Sequence, residues 1–508
     1  MSAAVSAAAV AAAVAVAVAV TLASAGVARG ESRVPFGGTL EMAWFSAPTT
    51  LDPAEALGFS EVEATRLIYD TPFRLDAEGK PVPHLALSLE VEPGGRKARL
   101  EIRPGVQFHD GTALTAADVA ASLSRARARV GGWVLGPIRT AQATSPTVLE
   151  LTLTRKTPEL AALLAAPAAA VTPRGREPGK LPIGSGPFAI EKWGGAGSRE
   201  LTLTAFARHF AGRPFLERIV ARSFGARQGE SAAYERGAIG WSYRGAVAFP
   251  DRKPRFPTLS FVSPAVATVF VGFGVDHAWL RDLDVRHAIR WAIDRDAARA
   301  AGGVTGAVAA AAEAPPALGA PGNGNGKDVS PGTPPAREVV RAQGALALAA
   351  GREPDLRDFM RQGGKLSILV DATRPEDFDV ALKLLDMLQG IGLDGQVEKL
   401  EPREFAVRVA AGHCDLFLGS AVAPASDRAW AAAAAAAAAG DATRVRAELA
   451  RASLTVERMH ALIEERVVLI PLFHHPFQIH HLAALHGVSA GVDPLARLGL
   501  GDLWLVRK

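Results

Sequence analysis

The sequence has a single cysteine, Cys414, so no intrachain disulfide can form and no cysteine-rich metal or cluster site can be assembled. An excess of one charge is also missing: 56 Lys and Arg stand against 52 Asp and Glu, interspersed rather than gathered into runs, and no nucleic-acid partner is expected. Beyond the N-terminus there is no run of about 18 uncharged apolar residues, so the body of the chain reads as soluble. No Ser or Cys lies in a nucleophile motif, and Gly184-Ser185-Gly186 lacks the Gly-Lys-Ser/Thr ending of a phosphate loop. Catalysis is therefore not expected, nor is a cofactor.

What is present is length: 508 residues exceed what one hydrophobic core serves, so two or more packed units are expected. Residues 2–28 form an uncharged Ala/Val-rich stretch that runs into Ala23-Ser24-Ala25, a small-x-small pattern of the kind signal peptidase cleaves. This predicts export to the periplasm. The stretch lacks a preceding Lys or Arg and is longer than a usual signal core, which keeps an uncleaved anchor open. No Cys follows it, which excludes a lipoprotein anchor.

The texture is α/β. Apolar alternation over Ala98–Ile102 and Val148–Leu153 predicts strands, and Thr115, three residues before Asp118, is placed to cap a helix running to Arg129 with Val119 and Leu123 on one face. A second helix is predicted over Val285–Ala298, capped by Asp284, followed by a strand Leu366–Val370, a helix Pro375–Gln389 and a strand Gly392–Leu400. Gly302–Pro335 is rich in Ala, Pro, Gly and Asn and reads as a flexible surface insertion, and Ala431–Ala439 as a low-complexity helix.

Five blocks then stand in order. They are Thr50-Leu51-Asp52-Pro53 with Gly79–Ala86; Ile102-Arg103-Pro104-Gly105-Val106-Gln107-Phe108-His109-Asp110-Gly111 running to Val119; Gly184-Ser185-Gly186-Pro187-Phe188; Asp284–Ile289 with Ala292–Arg295; and Ile470-Pro471-Leu472-Phe473. This order resembles the family 5 extracellular solute-binding proteins, the oligopeptide, dipeptide and nickel receptors. The physics of the second block is structural, since Pro104-Gly105 and Asp110-Gly111 supply turns, and His109-Asp110 falls inside one of them.

The resemblance implies a type II two-lobed periplasmic-binding-protein fold with an extra subdomain in lobe 1. Lobe 1 would comprise residues 29–262 plus 468–508, and lobe 2 residues 263–467, with ligand enclosed between them. It implies the substrate-binding component of an ABC transporter, a monomer that captures a peptide or small solute and delivers it to permease subunits in the inner membrane. A degenerate, membrane-anchored sensor or scaffold of the same fold is the alternative. Three segments would meet ligand: Leu57 to Phe59, Trp241 to Arg244, and Ser420 to Pro424.

Phe59, Trp241 and Tyr243 suit either core packing or stacking on a ligand. Arg244 suits a carboxylate, which a guanidinium binds through two hydrogen bonds. Peptide-binding members commonly place a Trp and then an Asp where this chain has Ser420-Ala421-Val422, so the usual partner of a peptide ammonium is missing and Asp427 substitutes only if its loop shifts. His474, His475, His480 and His481 invite a metal reading, but in a strand the outer pair lie about 20 Å apart and neighbours face opposite ways, so no metal site is expected.

Overall fold

The computed structural model describes residues 35–505 apart from 57, 77–79, 130–134, 180, 246–248, 250–253, 263–266, 275, 305–306, 311–335, 423–463 and 489–502. The N-terminal Ala/Val stretch, Leu57, Asp427 and Ala431–Ala439 lie outside these residues. From Gly37 onward the chain forms one compact unit. Among the described residues no helix is long and apolar enough to cross a membrane.

Alternating side chains build the first layer. Lys97–Ile102 and Val148–Leu153 each bury every second residue and pair antiparallel with Leu100 opposite Leu149 and Ala98 opposite Leu151. With Ala86–Val91 and Ile138–Ser145 they make a four-stranded sheet, wet on one face as such alternation requires. The helix Ala116–Arg127 covers the dry face with Val119 and Leu123, and its start is fixed by Asp118, whose carboxylate accepts from the Thr115 amide at 2.9 Å and hydroxyl at 2.7 Å.

A seven-stranded sheet lies beside this layer in sequence. Thr39–Trp44 runs parallel to Arg218–Ser223 on one side and to Trp241–Ser242 on the other, and the edges are Thr258–Val262 and Phe188–Trp193. The remaining sheet is six-stranded, in the order Val308–Ala309, Leu469–His475, Ala267–Phe273, Leu416–Val422, Lys365–Asp371, Asp394–Leu400. Every residue of Ala267–Phe273 and of Leu469–His475 is buried. Continuous burial of this kind requires cover on both faces. Helices Leu283–Ala292, Val339–Arg352 and Pro375–Gln389 supply Ile289, Leu346 and Leu384 to the same core.

Three expectations change. The helix predicted over Val285–Ala298 is two helices, because Asp282 accepts from the amides of Asp284 and Val285 and caps Leu283–Ala292, while Asp294 accepts from the Ala297 amide and starts Arg295–Gly302. The segment read as an insertion from Gly302 opens with structure, since Val308–Ala309 pairs with His474 and Phe473; residues 305–306 and 311–335 of it lie outside the described residues. The chain leaves the six-stranded sheet at Pro476, between Leu469–His475 and Gln478–Leu482, rather than near Val468. Proline cannot donate to a ladder, so it suits the joint between two strands that belong to different sheets.

Candidate functional site

The strands that flank the two crossings between the large sheets pair with each other. On the seven-stranded side Val262 pairs with Gln478, and on the six-stranded side Ala267 pairs with His475. Arg244 follows Trp241–Ser242 and bridges to Gln478, so it stands at this double passage. Facing it, strand Lys365–Asp371 ends and the chain turns through Thr373 into helix Pro375–Gln389, which presents Glu376 in its first turn. Carboxyl ends of parallel strands are where open α/β sheets receive ligands.

Arg244 is 2% exposed and uses every edge of its guanidinium. Nη1 donates to the Trp44 carbonyl at 3.3 Å and to Glu230 at 3.4 Å. Nη2 donates to the Phe45 carbonyl, to the Thr373 carbonyl at 2.8 Å and to Glu376 at 3.3 Å. Nε reaches the two Glu376 oxygens at 3.2 and 3.4 Å. The guanidinium also lies 4.5 Å from the centre of the Phe45 ring. One cation thus ties the seven-stranded unit to the six-stranded one, and the Ala47 amide, donating to Thr373 Oγ1 at 3.2 Å, adds a second tie.

A cavity adjoins this network, with water-accommodating space of ≈ 10 Å³, room for about one water molecule. Phe45, Tyr243, Val304, His475 and Pro476 give its apolar wall. Its polar groups are Arg244, Glu376 and Gln478. Burial pushes Glu376 upward, but the charges of Arg244 and Arg374 outweigh it and hold the carboxyl below its ordinary range. Glu230 is held above its range by burial despite Arg244. Burial also lowers His475 to about 4. The ring is therefore neutral at pH 7, and its Nδ1 carries the proton given to the Pro476 carbonyl at 3.1 Å.

The expected residues divide. Phe59 opens helix Phe59–Ile68 and meets Tyr243 edge-on at 4.9 Å and Phe477 at 3.8 Å between ring centres. Tyr243 reaches the cavity, and its hydroxyl donates to Glu63. Trp241 is fully buried in the core of the seven-stranded unit, stacked on His481. Ser420, half-buried and away from the cavity, and Ala421 sit on Leu416–Val422, paired with Val269 and Thr268.

Sequence reading missed Glu376, Phe45, Thr373 and Gln478. Only the acidic turn Arg374-Pro375-Glu376-Asp377 offered a signal, and acids in a first turn are ordinary complements of a helix dipole. The four histidines do not converge: His474 is bonded to Thr268 Oγ1 at 2.9 Å, His475 stacks on Phe45, His480 on Phe249 and His481 on Trp241. Among the described residues no group of three or more potential ligands could hold a metal ion. His109 accepts from the Gly184 amide at 3.3 Å and donates to the Gly186 carbonyl at 3.0 Å, which makes it part of a turn rather than a base.

A family model described as bacterial extracellular solute-binding proteins, family 5 middle, matches residues 80–441. The glutathione-binding protein GsiB of Escherichia coli K12 is 27% identical over 267 residues, covering 49% of this chain and 51% of its own length. The chain thus spans about half the length of the curated relatives it matches. Among solved structures, the periplasmic binding protein DppA of Helicobacter pylori in complex with the peptide STSA superposes with a TM-score of 0.74 at 20% identity, covering 93% of this chain and 99% of its own. AgaA of A. tumefaciens R10, in complex with agropinic acid, gives 0.73 at 19% identity over 93% and 99%. The fold is the two-lobed type II periplasmic-binding-protein fold, its lobes built on the seven- and six-stranded sheets.

Proposed function

The chain belongs to the bacterial extracellular solute-binding proteins of family 5, and on that premise we propose that it is the receptor of an ABC importer, capturing a peptide or related small solute between its lobes and delivering it to membrane permease subunits. Members of the family are periplasmic or extracellular binding proteins, which accords with the export-type N-terminus. The family is solute-binding and non-catalytic, and no chemistry on the ligand is assigned to this member.

The observation that carries the reading is the paired passage at Val262–Gln478 and Ala267–His475, with the buried Arg244 beside it and the strand end at Asp371 facing it. Two crossings of the chain whose flanking strands pair on either side would serve as a hinge of the kind that lets two rigid bodies close on a ligand. Phe59, Tyr243 and Arg244 would meet that ligand from lobe 1, with Trp241 packed behind them. Ser420, Ala421 and Asp427 would approach from lobe 2, and the protein acts as a monomer. The importer reading is favoured over an anchored sensor by the relatives and structural neighbours alike.

The test is a thermal-shift screen of the purified protein against glutathione, tripeptides, sugar-acid conjugates, free amino acids, sugars and metal chelates. A ligand that binds only the native state at a hundred times its Kd stabilises it by about 2.7 kcal/mol, which raises Tm by several degrees. A shift confined to one chemical class supports the receptor reading and supplies its substrate. A flat response across all classes refutes it.

A further inference from the structure

The two ion pairs of Arg244, with Glu376 at 3.2 Å and Glu230 at 3.4 Å, are longer than the half-buried Arg125–Asp52 pair, and only the one to Glu376 crosses between the large sheets. Arg125 grips Asp52 through two bonds of 2.7 Å, the length of a well-made charge-assisted pair. Glu376 sits on the Nε/Nη2 edge of Arg244 at 3.2 to 3.4 Å, with both residues 5% exposed or less. That edge of a guanidinium is the one that receives a carboxylate through two parallel bonds. Arg244 is otherwise held through the Trp44 and Phe45 carbonyls and Glu230, and on the far side by the Thr373 carbonyl at 2.8 Å, so its position survives the loss of Glu376.

Glu376 in turn survives the loss of Arg244. It lies in the first turn of helix Pro375–Gln389, where the helix dipole favours an anion, and Arg374 adds a second positive charge. The contact is thus slack, crosses the lobes, opens on the small cavity, and leaves both charges supported when it breaks.

From this geometry we propose that Glu376 occupies the place of a ligand carboxylate: in the empty receptor it closes the cleft onto Arg244, and loading exchanges it for a carboxylate of the solute on the same edge. The ligand class is therefore a carboxylate-bearing solute, with Arg244 and Glu376 setting that preference. This rests on the receptor reading above. The exchange leaves the buried charge unchanged, because one carboxylate replaces another while Glu230 stays. No covalent step is involved.

The test uses Glu376→Gln, which keeps the shape and removes the charge, in the full purified protein. Small-angle scattering without ligand reads the first half: Glu376→Gln is expected to be more open than wild type. Equal compactness of the two proteins overturns the proposal whatever binds. Calorimetry with trialanine and trialanine amide reads the second half. Trialanine should bind Glu376→Gln about tenfold more tightly than wild type, the factor separating a charge-assisted from a neutral bond, with the amide unchanged.

Weaker binding of trialanine to Glu376→Gln, as expected if Glu376 holds the peptide's ammonium instead, overturns the proposal. So does an opened Glu376→Gln that binds the acid no better than the amide. Arg244→Gln should abolish the difference between acid and amide, and its persistence would place the anion elsewhere. The receptor reading fails separately, only when the whole thermal-shift screen is flat.

Discussion

Asp70 is a buried carboxylate on which three separate segments converge. It follows helix Phe59–Ile68, is 4% exposed, and accepts from Ser185 Oγ at 2.8 Å, His84 Nε2 at 2.8 Å and His209 Nε2 at 3.4 Å. Its partners come from the loop before Phe188–Trp193, from the four-stranded layer's approach and from the turn after Glu200–Ala205, so it joins segments that the sequence keeps far apart. Burial raises its pKa, but the bonds and charges of His209 and His84 outweigh that and hold the carboxyl well below the ordinary range.

Asp70→Asn keeps the shape and removes the charge. A bond to a charged group contributes about 1.5–3 kcal/mol against about 1 for a neutral one, so three weakened bonds cost about 3 kcal/mol. For a chain of 508 residues, whose unfolding entropy is about 1 kcal/mol/K, that is a fall in Tm of roughly 3 °C. Urea unfolding at pH 7 should show the loss in midpoint with an unchanged slope.

The pH dependence has a fixed sign. A carboxyl depressed in the folded state stabilises above its unfolded pKa of about 3.9, so the advantage of wild type over Asp70→Asn is full above roughly pH 5 and shrinks as acid is added. A loss below about 1 kcal/mol at pH 7, or a difference that grows in acid, would refute the assignment.

Other perturbations read other parts of the molecule. An added Cβ at Gly184 would lie 1.9 Å from the Ile68 carbonyl oxygen, whereas at Gly94 it meets nothing within 4 Å. Gly184→Ala should therefore cost about 3 kcal/mol in urea melts and Gly94→Ala within about 0.5. Arg125→Ala removes the two-bond grip on Asp52 and should cost about 2 kcal/mol, and a double-mutant cycle with Asp52→Ala should return a coupling of about 1–2 kcal/mol; additive losses would dismiss the pair. His475 titrates near 4 when folded, so the unfolded chain binds a proton first and stability should rise with pH between about 4 and 6.5, by up to about 3 kcal/mol. His475→Gln should flatten that slope without abolishing it, since burial lowers His480 and His481 as well; parallel profiles would contradict the assignment.

Local physics explains which features were legible from the chain. Val148–Leu153 and Pro375–Gln389 have the predicted bounds, because each carries its own period and a clear start. The break after Ala292 was hidden, since Ile289 and Ile293 continue one face while Asp294 quietly supplies a second cap. The return passage was misplaced because Val467–Phe473 is apolar throughout, and only Pro476 marks where one sheet ends. Arg244 could be named from its residue type. Glu376 could not, since it lies 132 positions away and nothing local distinguishes it from a dipole complement.

The strengths of the ties are distributed in a way that suits a closing receptor. Within lobe 1, Asp70 and the Arg125–Asp52 pair are buried or half-buried and short. Between the lobes, Arg199–Glu401 is 42% and 64% exposed and Arg227–Asp379 is 28% and 43% exposed, pairs of a kind that contribute about 0.2–1 kcal/mol each. Among the described residues the buried ion pair between the lobes, Arg244–Glu376, is long at 3.2 Å. In the proposed receptor, closure would therefore rest on small increments, and a ligand would need to add only a few kcal/mol of differential affinity to decide the population of the closed state. A receptor of the proposed kind, releasing its cargo to a permease, would require that balance: lobes rigid enough to keep their shape, and a seam weak enough to reopen.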